Sequence, residues 1–187
     1  MPVTEPKRTA VAVVFKQVMD GDVRKLAAQS NDSPTGGGAR DLRFPMVPFQ
    51  GPLTKFFPNV VGHSANGGPV RQGTMVWVID SRNQQKYNVE LHPPTTARPR
   101  EIRIARIHDL DPMQHCPTPT DSDPVFLFLT LDTSNTFRCD FARLSDLSRD
   151  WHPEIAQLVR RSLVAMRGKN AACGFKDFQT ETEYVHE

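Results

Sequence analysis

Between Gly73 and Leu144 the chain carries five runs suited to a pleated surface: GTMVWVID (73–80), KYNVELH (86–92), REIRIARIH (100–108), PVFLFLTLD (124–132) and TFRCDFARL (136–144). β-Branched and aromatic residues dominate them, and the connections DSRNQQ and DTSN carry turn-forming side chains. In REIRIARI, Ile102, Ile104 and Ile107 are set against Arg103 and Arg106, the near-strict alternation of a strand with one wet face. Strands following one another through short polar turns predict an antiparallel sheet. The expected class is α+β: a mostly antiparallel β barrel or half-open barrel with flanking helices and a C-terminal helix. Segment 109–123 is proline-rich and polar, and reads as an irregular surface excursion.

The flanks supply the helices. TAVAVVFKQV (9–18) predicts a strand, followed by a short helix over 22–28. GPLTKFFPNVV (51–61) predicts a short helix stopped by Pro58, with Phe56 and Phe57 pointing inward. HPEIAQLVRRSLVAMRGKN has Pro153 suited to a first turn and Gly168 suited to a stop. Its stripe of Ile155, Leu158, Val159, Leu163 and Met166 predicts packing against the sheet. A chain of 187 residues can bury a sizeable core, so residues 1–187 are expected as one domain. Within it, 9–147 would be the β core and 148–187 a C-terminal helix and acidic tail ending QTETEYVHE.

Composition narrows the partners. No run approaches the roughly 18–20 apolar residues a membrane-crossing helix needs, so no membrane association is expected. MPVTEPKRTA lacks the pattern of a signal peptide. Cys116, Cys139 and Cys173 are odd in number and form no CxxC, which points to a reducing, cytoplasmic setting. Net charge is only +2, but Arg71 to Arg106 holds seven Lys/Arg against Asp80, Glu90 and Glu101. That sector predicts one basic face. The plainer alternative is a well-solvated pair of strands.

Catalytic signatures are absent from the sequence. GGGARD lacks the lysine and hydroxyl of a phosphate-binding loop, and no G-x-G-x-x-G, G-x-S-x-G or H-E-x-x-H occurs. HDLDPMQHC brings His108, Asp109, Asp111, His115 and Cys116 together in sequence, but their spacing fits no zinc template. A turn with capping aspartates is the alternative. His63 in GHSANGG reads either as a general base or as a loop histidine. No acid-x-lysine pair sits on a strand pattern, so no catalytic residue, metal ligand or cofactor is assigned. A metal-dependent endonuclease centred on Asp109 and Asp111, and a non-catalytic protein-interaction module, stand as the competing functions.

Two separated segments carry a family resemblance. RKLAAQSNDSPTGGGARDLRFP, with Asn31, Asp32, Ser33, Thr35, Gly36 to Gly38 and Phe44–Pro45, resembles the first DNA-recognition arm of the EcoRII N-terminal effector domain family. FFP at 56–58 resembles the phenylalanine-rich helix that follows that arm. TARPREIRIARI (96–107), with Thr96, Arg98, Arg100, Glu101 and Arg103, is similar to the second arm and its return strand. Element order agrees over roughly 10–145, and the C-terminal helix lies outside the match. The resemblance implies a DNA-binding pseudobarrel whose two arms grip duplex DNA in the major groove. It also implies a restriction or defence setting, with a nuclease or defence-system protein as a further partner. GGGARDLRFP replaces the family's usual glycine–histidine–glutamine stretch, which leaves the base preference open.

The residue chemistry agrees on its own terms. Gly37 and its neighbours let a backbone approach phosphate, and Arg40 and Arg43 offer bidentate contacts to guanine or phosphate. Asn31 can read adenine or close an Asx turn. Asp32 and Asp41 would orient arginines or accept from cytosine N4. Arg98, Arg100 and Arg103 form the second basic site. The expected function is a sequence- or structure-selective double-stranded DNA-binding module using both loops as recognition arms.

Overall fold

A computed structural model of the chain describes residues 10–27, 41–78, 84–105, 107, 110–166 and 170–186. Its elements begin β1 (Ala10–Gln17), α1 (Asp20–Ala27), β2 (Leu42–Pro45), α2 (Met46–Phe56), β3 (Asn59–His63), β4 (Pro69–Val78), β5 (Gln84–His92) and β6 (Glu101–Ala105). There follow α3 (Asp111–Gln114), β7 (Val125–Asp132), β8 (Phe137–Arg143), α4 (Leu147–Asp150), α5 (Pro153–Ala165), β9 (Cys173–Asp177) and β10 (Thr182–Val185). The fold is α+β, with antiparallel pairing throughout the registered ladders. No helix among the described residues is long and apolar enough to cross a membrane. Two compact units divide the chain: residues 1–19, 76–85 and 117–187, and residues 20–75 and 86–116.

In the first unit the strands run in the order β10-β9-β1-β7-β8. β7 is buried from Val125 to Leu131: β1 and β8 pair with its two edges, and Phe126 and Phe128 pack into the cluster formed with Trp151 and α5. This is why VFLFLTL is a continuous apolar run. Helix α5 packs on β9 and β10. It places Ile155, Leu158 and Val159 in a cluster with Phe15, Phe126, Phe128 and Trp151. Trp151 stacks on Phe128 at 3.9 Å between ring centroids. A Cβ at Gly174 would lie 2.5 Å from the Tyr184 carbonyl oxygen, so close strand contact requires glycine there.

The last residues depart from the expected acidic tail. Cys173–Asp177 and Thr182–Val185 are strands, and the tail's acids have a specific task. Lys176 is 8% exposed, with its Nζ 3.0 Å from Glu154, 3.2 Å from Glu181 and 3.5 Å from Glu183. Glu183 also takes a hydrogen bond from Arg161. The glutamates are the counter-ions that let a lysine enter a buried strand.

In the second unit the order is β2-β6-β5-β4, with β3 added to β4. Helix α2 packs on β2 and β6, and Phe44 meets Phe49 at 4.9 Å. It starts at Met46, earlier than the expected residue 51, and ends before Pro58 with Phe56 and Phe57 buried. A Cβ at Gly73 would fall 2.1 Å from the Phe56 carbonyl oxygen, so this glycine admits the helix end against β4. Beyond the stop at Pro58 the chain forms β3, where Val60 and Val61 stay half-exposed on a strand bulged between Val60 and Gly62.

Candidate nucleic-acid interface

The short ladder between β2 and β6 organises the arginines. Its register pairs Leu42 with Ile104, Arg43 with Arg103, Phe44 with Ile102, and Pro45 with Glu101. Leu42, Phe44, Ile102 and Ile104 are buried, which commits the alternate residues to the other face. Arg43 and Arg103 are therefore direct cross-strand neighbours. Like charges so placed repel unless counter-charges intervene. Two do: Arg103 Nη1 donates to Asp41 Oδ2 at 2.8 Å, and Arg43 Nε lies 3.8 Å from Glu101 Oε2. On the other flank of β6, His92 of β5 sits opposite Arg103 and contacts Glu90 at 2.9 Å. A row of Arg43, Arg103 and His92 thus crosses three strands.

The loop leading into β6 is pinned at several points. Thr95 and Arg98 exchange backbone hydrogen bonds at 3.3 and 3.0 Å, closing a tight turn. The Arg100 carbonyl accepts from Met46 N–H, the first residue of α2, at 2.8 Å. Thr96 Oγ1 donates to Asn66 Oδ1 at 3.3 Å in the turn before β4. A Cβ at Gly68 would lie 3.0 Å from the Pro93 ring, so that turn packs directly on the start of the loop. On this braced backbone Arg98 is 49% exposed, donating to Glu101 at 3.3 Å. Arg100 is exposed and has no carboxylate within ion-pair distance among the described residues.

The sequence-predicted residues divide clearly. Arg43, Arg98, Arg100, Glu101 and Arg103 gather around the β2–β6 ladder, with Thr96 at the turn. Arg103 is engaged by Asp41, a residue the sequence marked as able to orient an arginine. Asn31, Asp32, Ser33, Thr35, Gly37 and Arg40 lie outside the described residues. The bracing by Asn66, Gly68 and Met46 was not anticipated, since no local pattern links those positions to loop 93–100. Among the described residues no group of three or more His, Cys, Asp and Glu is close enough to hold a metal ion. No protein-family model, curated protein or solved structure matches this chain.

Proposed function

We propose that this chain is a sequence- or structure-selective duplex-DNA-binding module of the pseudobarrel type, acting without catalysis in a restriction or defence setting. The observation that carries the reading is the pinned loop 93–100, which presents Arg98 and Arg100 to solvent. A braced backbone lowers the ordering cost of binding, and an arginine with surplus charge is suited to phosphate or guanine.

An electrophoretic shift with a random-sequence duplex tests the reading. Wild type should retard the duplex, and Arg98→Ala should weaken retardation while preserving the fold by circular dichroism. Equal retardation by both, or none by wild type, would refute it.

A further inference from the structure

From Leu42 to Ile79 the sequence holds no Asp or Glu, although acids make up 21 of its 187 residues, and loop 93–100 holds none either. The fold brings these two acid-free stretches together. The β3–β4 turn is closed by Ser64 N–H donating to the Gly68 carbonyl and Gly67 N–H to the Ser64 carbonyl, both at 2.8 Å. It lies against loop 93–100 through the Pro93 ring beside Gly68 and the hydrogen bond from Thr96 to Asn66. Val70 is buried, which commits Arg71 to the opposite face of β4, paired with half-exposed Val60 of β3. Arg71 Nη1 donates to the Pro58 carbonyl at 3.3 Å, and no carboxylate lies within ion-pair distance of it among the described residues. A neutral carbonyl steadies the guanidinium and leaves its charge uncancelled.

We infer that the β3–β4 hairpin is a second duplex contact beside loop 93–100, with Arg71 on the phosphate backbone and Asn66 at the tip facing the same duplex. The inference rests on the DNA-binding reading above. Duplex DNA carries a negative charge about every 1.7 Å of its axis, so a duplex held by Arg98 and Arg100 brings phosphates to whatever borders their loop. The hairpin tip borders it directly. Arg71 follows Pro69, the first residue of β4, by two residues, about 7 Å of strand. Asn66 is exposed, and because its Oδ1 accepts from Thr96, its Nδ2 keeps two N–H donors for a phosphate or a base edge. Neither the hairpin nor the loop carries an acid that would repel a phosphate. An arginine contact to phosphate fixes register on the duplex and reads no base.

The test is an anisotropy titration of the full chain with a random-sequence duplex across a salt series. Arg71→Ala should weaken binding about tenfold and lower the salt slope by about one, and Arg71→Lys should retain the slope. A merely structural role through the Pro58 carbonyl would leave the slope unchanged in Arg71→Ala, which overturns the inference. Asn66→Asp keeps an acceptor for Thr96, and so keeps the brace, while placing a negative charge at the tip. It should weaken binding about three- to tenfold at low salt, with the loss shrinking as salt rises. Unchanged affinity in Asn66→Asp also overturns the inference, and this variant decides alone if Arg71→Ala fails to fold by circular dichroism. In either failure, a slope that still falls in Arg98→Ala leaves the DNA-binding reading standing. A wild-type chain with no salt-dependent duplex binding overturns that reading, and this inference with it.

Discussion

The two units handle positive charge in opposite ways. In the first, Lys176 is buried and surrounded by Glu154, Glu181 and Glu183, and Arg149 is shared between Asp146 and Asp150. Carboxylates outnumber the cation at each place, so the charge is consumed in holding strand and helix together. In the second, Glu101 is within ion-pair distance of both Arg43 and Arg98, and Arg98 and Arg100 are exposed, Arg100 with no carboxylate in ion-pair reach among the described residues. Counting Lys and Arg along a sequence therefore misleads: the ratio of partners at each cation separates structural charge from charge available to a polyanion.

The largest effect that separates the units is on folding. Trp151→Ala removes the ring stacked on Phe128 and should cost about 3–5 kcal/mol in urea unfolding. A much smaller loss would mean the aromatic cluster of the first unit contributes little.

Lys176→Met should come next, destabilising by about 1 kcal/mol because it removes the cation shared by the partly exposed Glu154, Glu181 and Glu183. The same network has a pH signature. Hydrogen bonding to Glu154, reinforced by Glu181, raises the Lys176 pKa despite burial. Its stabilising share is thus complete below the unfolded lysine value of about 10.4 and fades as pH rises through the folded value. The hydrogen bond from Arg161 lowers the Glu183 pKa, so that share is present above about pH 4.3 and fades on acidification. Thermal melts across pH should show Arg161→Gln flattening the acid limb. An unchanged limb would remove Glu183 from the account.

The binding comparison is sharper and smaller in energy. Arg98→Ala and Arg100→Ala should each weaken duplex binding about tenfold and reduce the salt slope by about one. Their effect on folding stability should stay within about 0.5 kcal/mol. Arg149→Ala, removing an arginine shared between two acids, should leave DNA binding unchanged. If Arg149→Ala weakens binding as much as Arg98→Ala, the distinction between the units collapses.

Glu101→Gln should have the smallest effect, tightening non-specific duplex binding about two- to threefold by weakening the hold on exposed Arg98. Titrations with mixed-sequence duplex would resolve that change, and weaker binding would show that Glu101 orients the arginines productively.

Much of the fold was legible in the residues. Strict alternation in REIRIA placed Ile102 and Ile104 inward and Arg103 outward, and Phe56 and Phe57 were readable as buried from their place before Pro58. Strands β9 and β10 were not legible, because CGFKD and TEYV are only five and four residues long and lie next to the acids of the C-terminal stretch. Their strand identity depends on an ion network assembled from Glu154, Glu181 and Glu183, which no local period reveals. The candidate site shows the same limit. Arg98 and Arg100 stood out as a basic pair, while the hydrogen bonds that brace their loop, from Thr96 to Asn66 and from Met46 to Arg100, join residues some 30 to 55 positions apart in sequence. The charge of Arg103 was visible; its capture by buried Asp41 was a property of the β2–β6 register.

The central claim is that the arginines of the second unit form a duplex-binding surface. The most direct measurement is the affinity of the full chain for a random-sequence duplex over a salt series, wild type against Arg98→Ala/Arg100→Ala. The account predicts salt-dependent wild-type binding and a slope lower by about two in the double variant. Absence of salt-dependent binding, or an unchanged slope in the double variant, would contradict it.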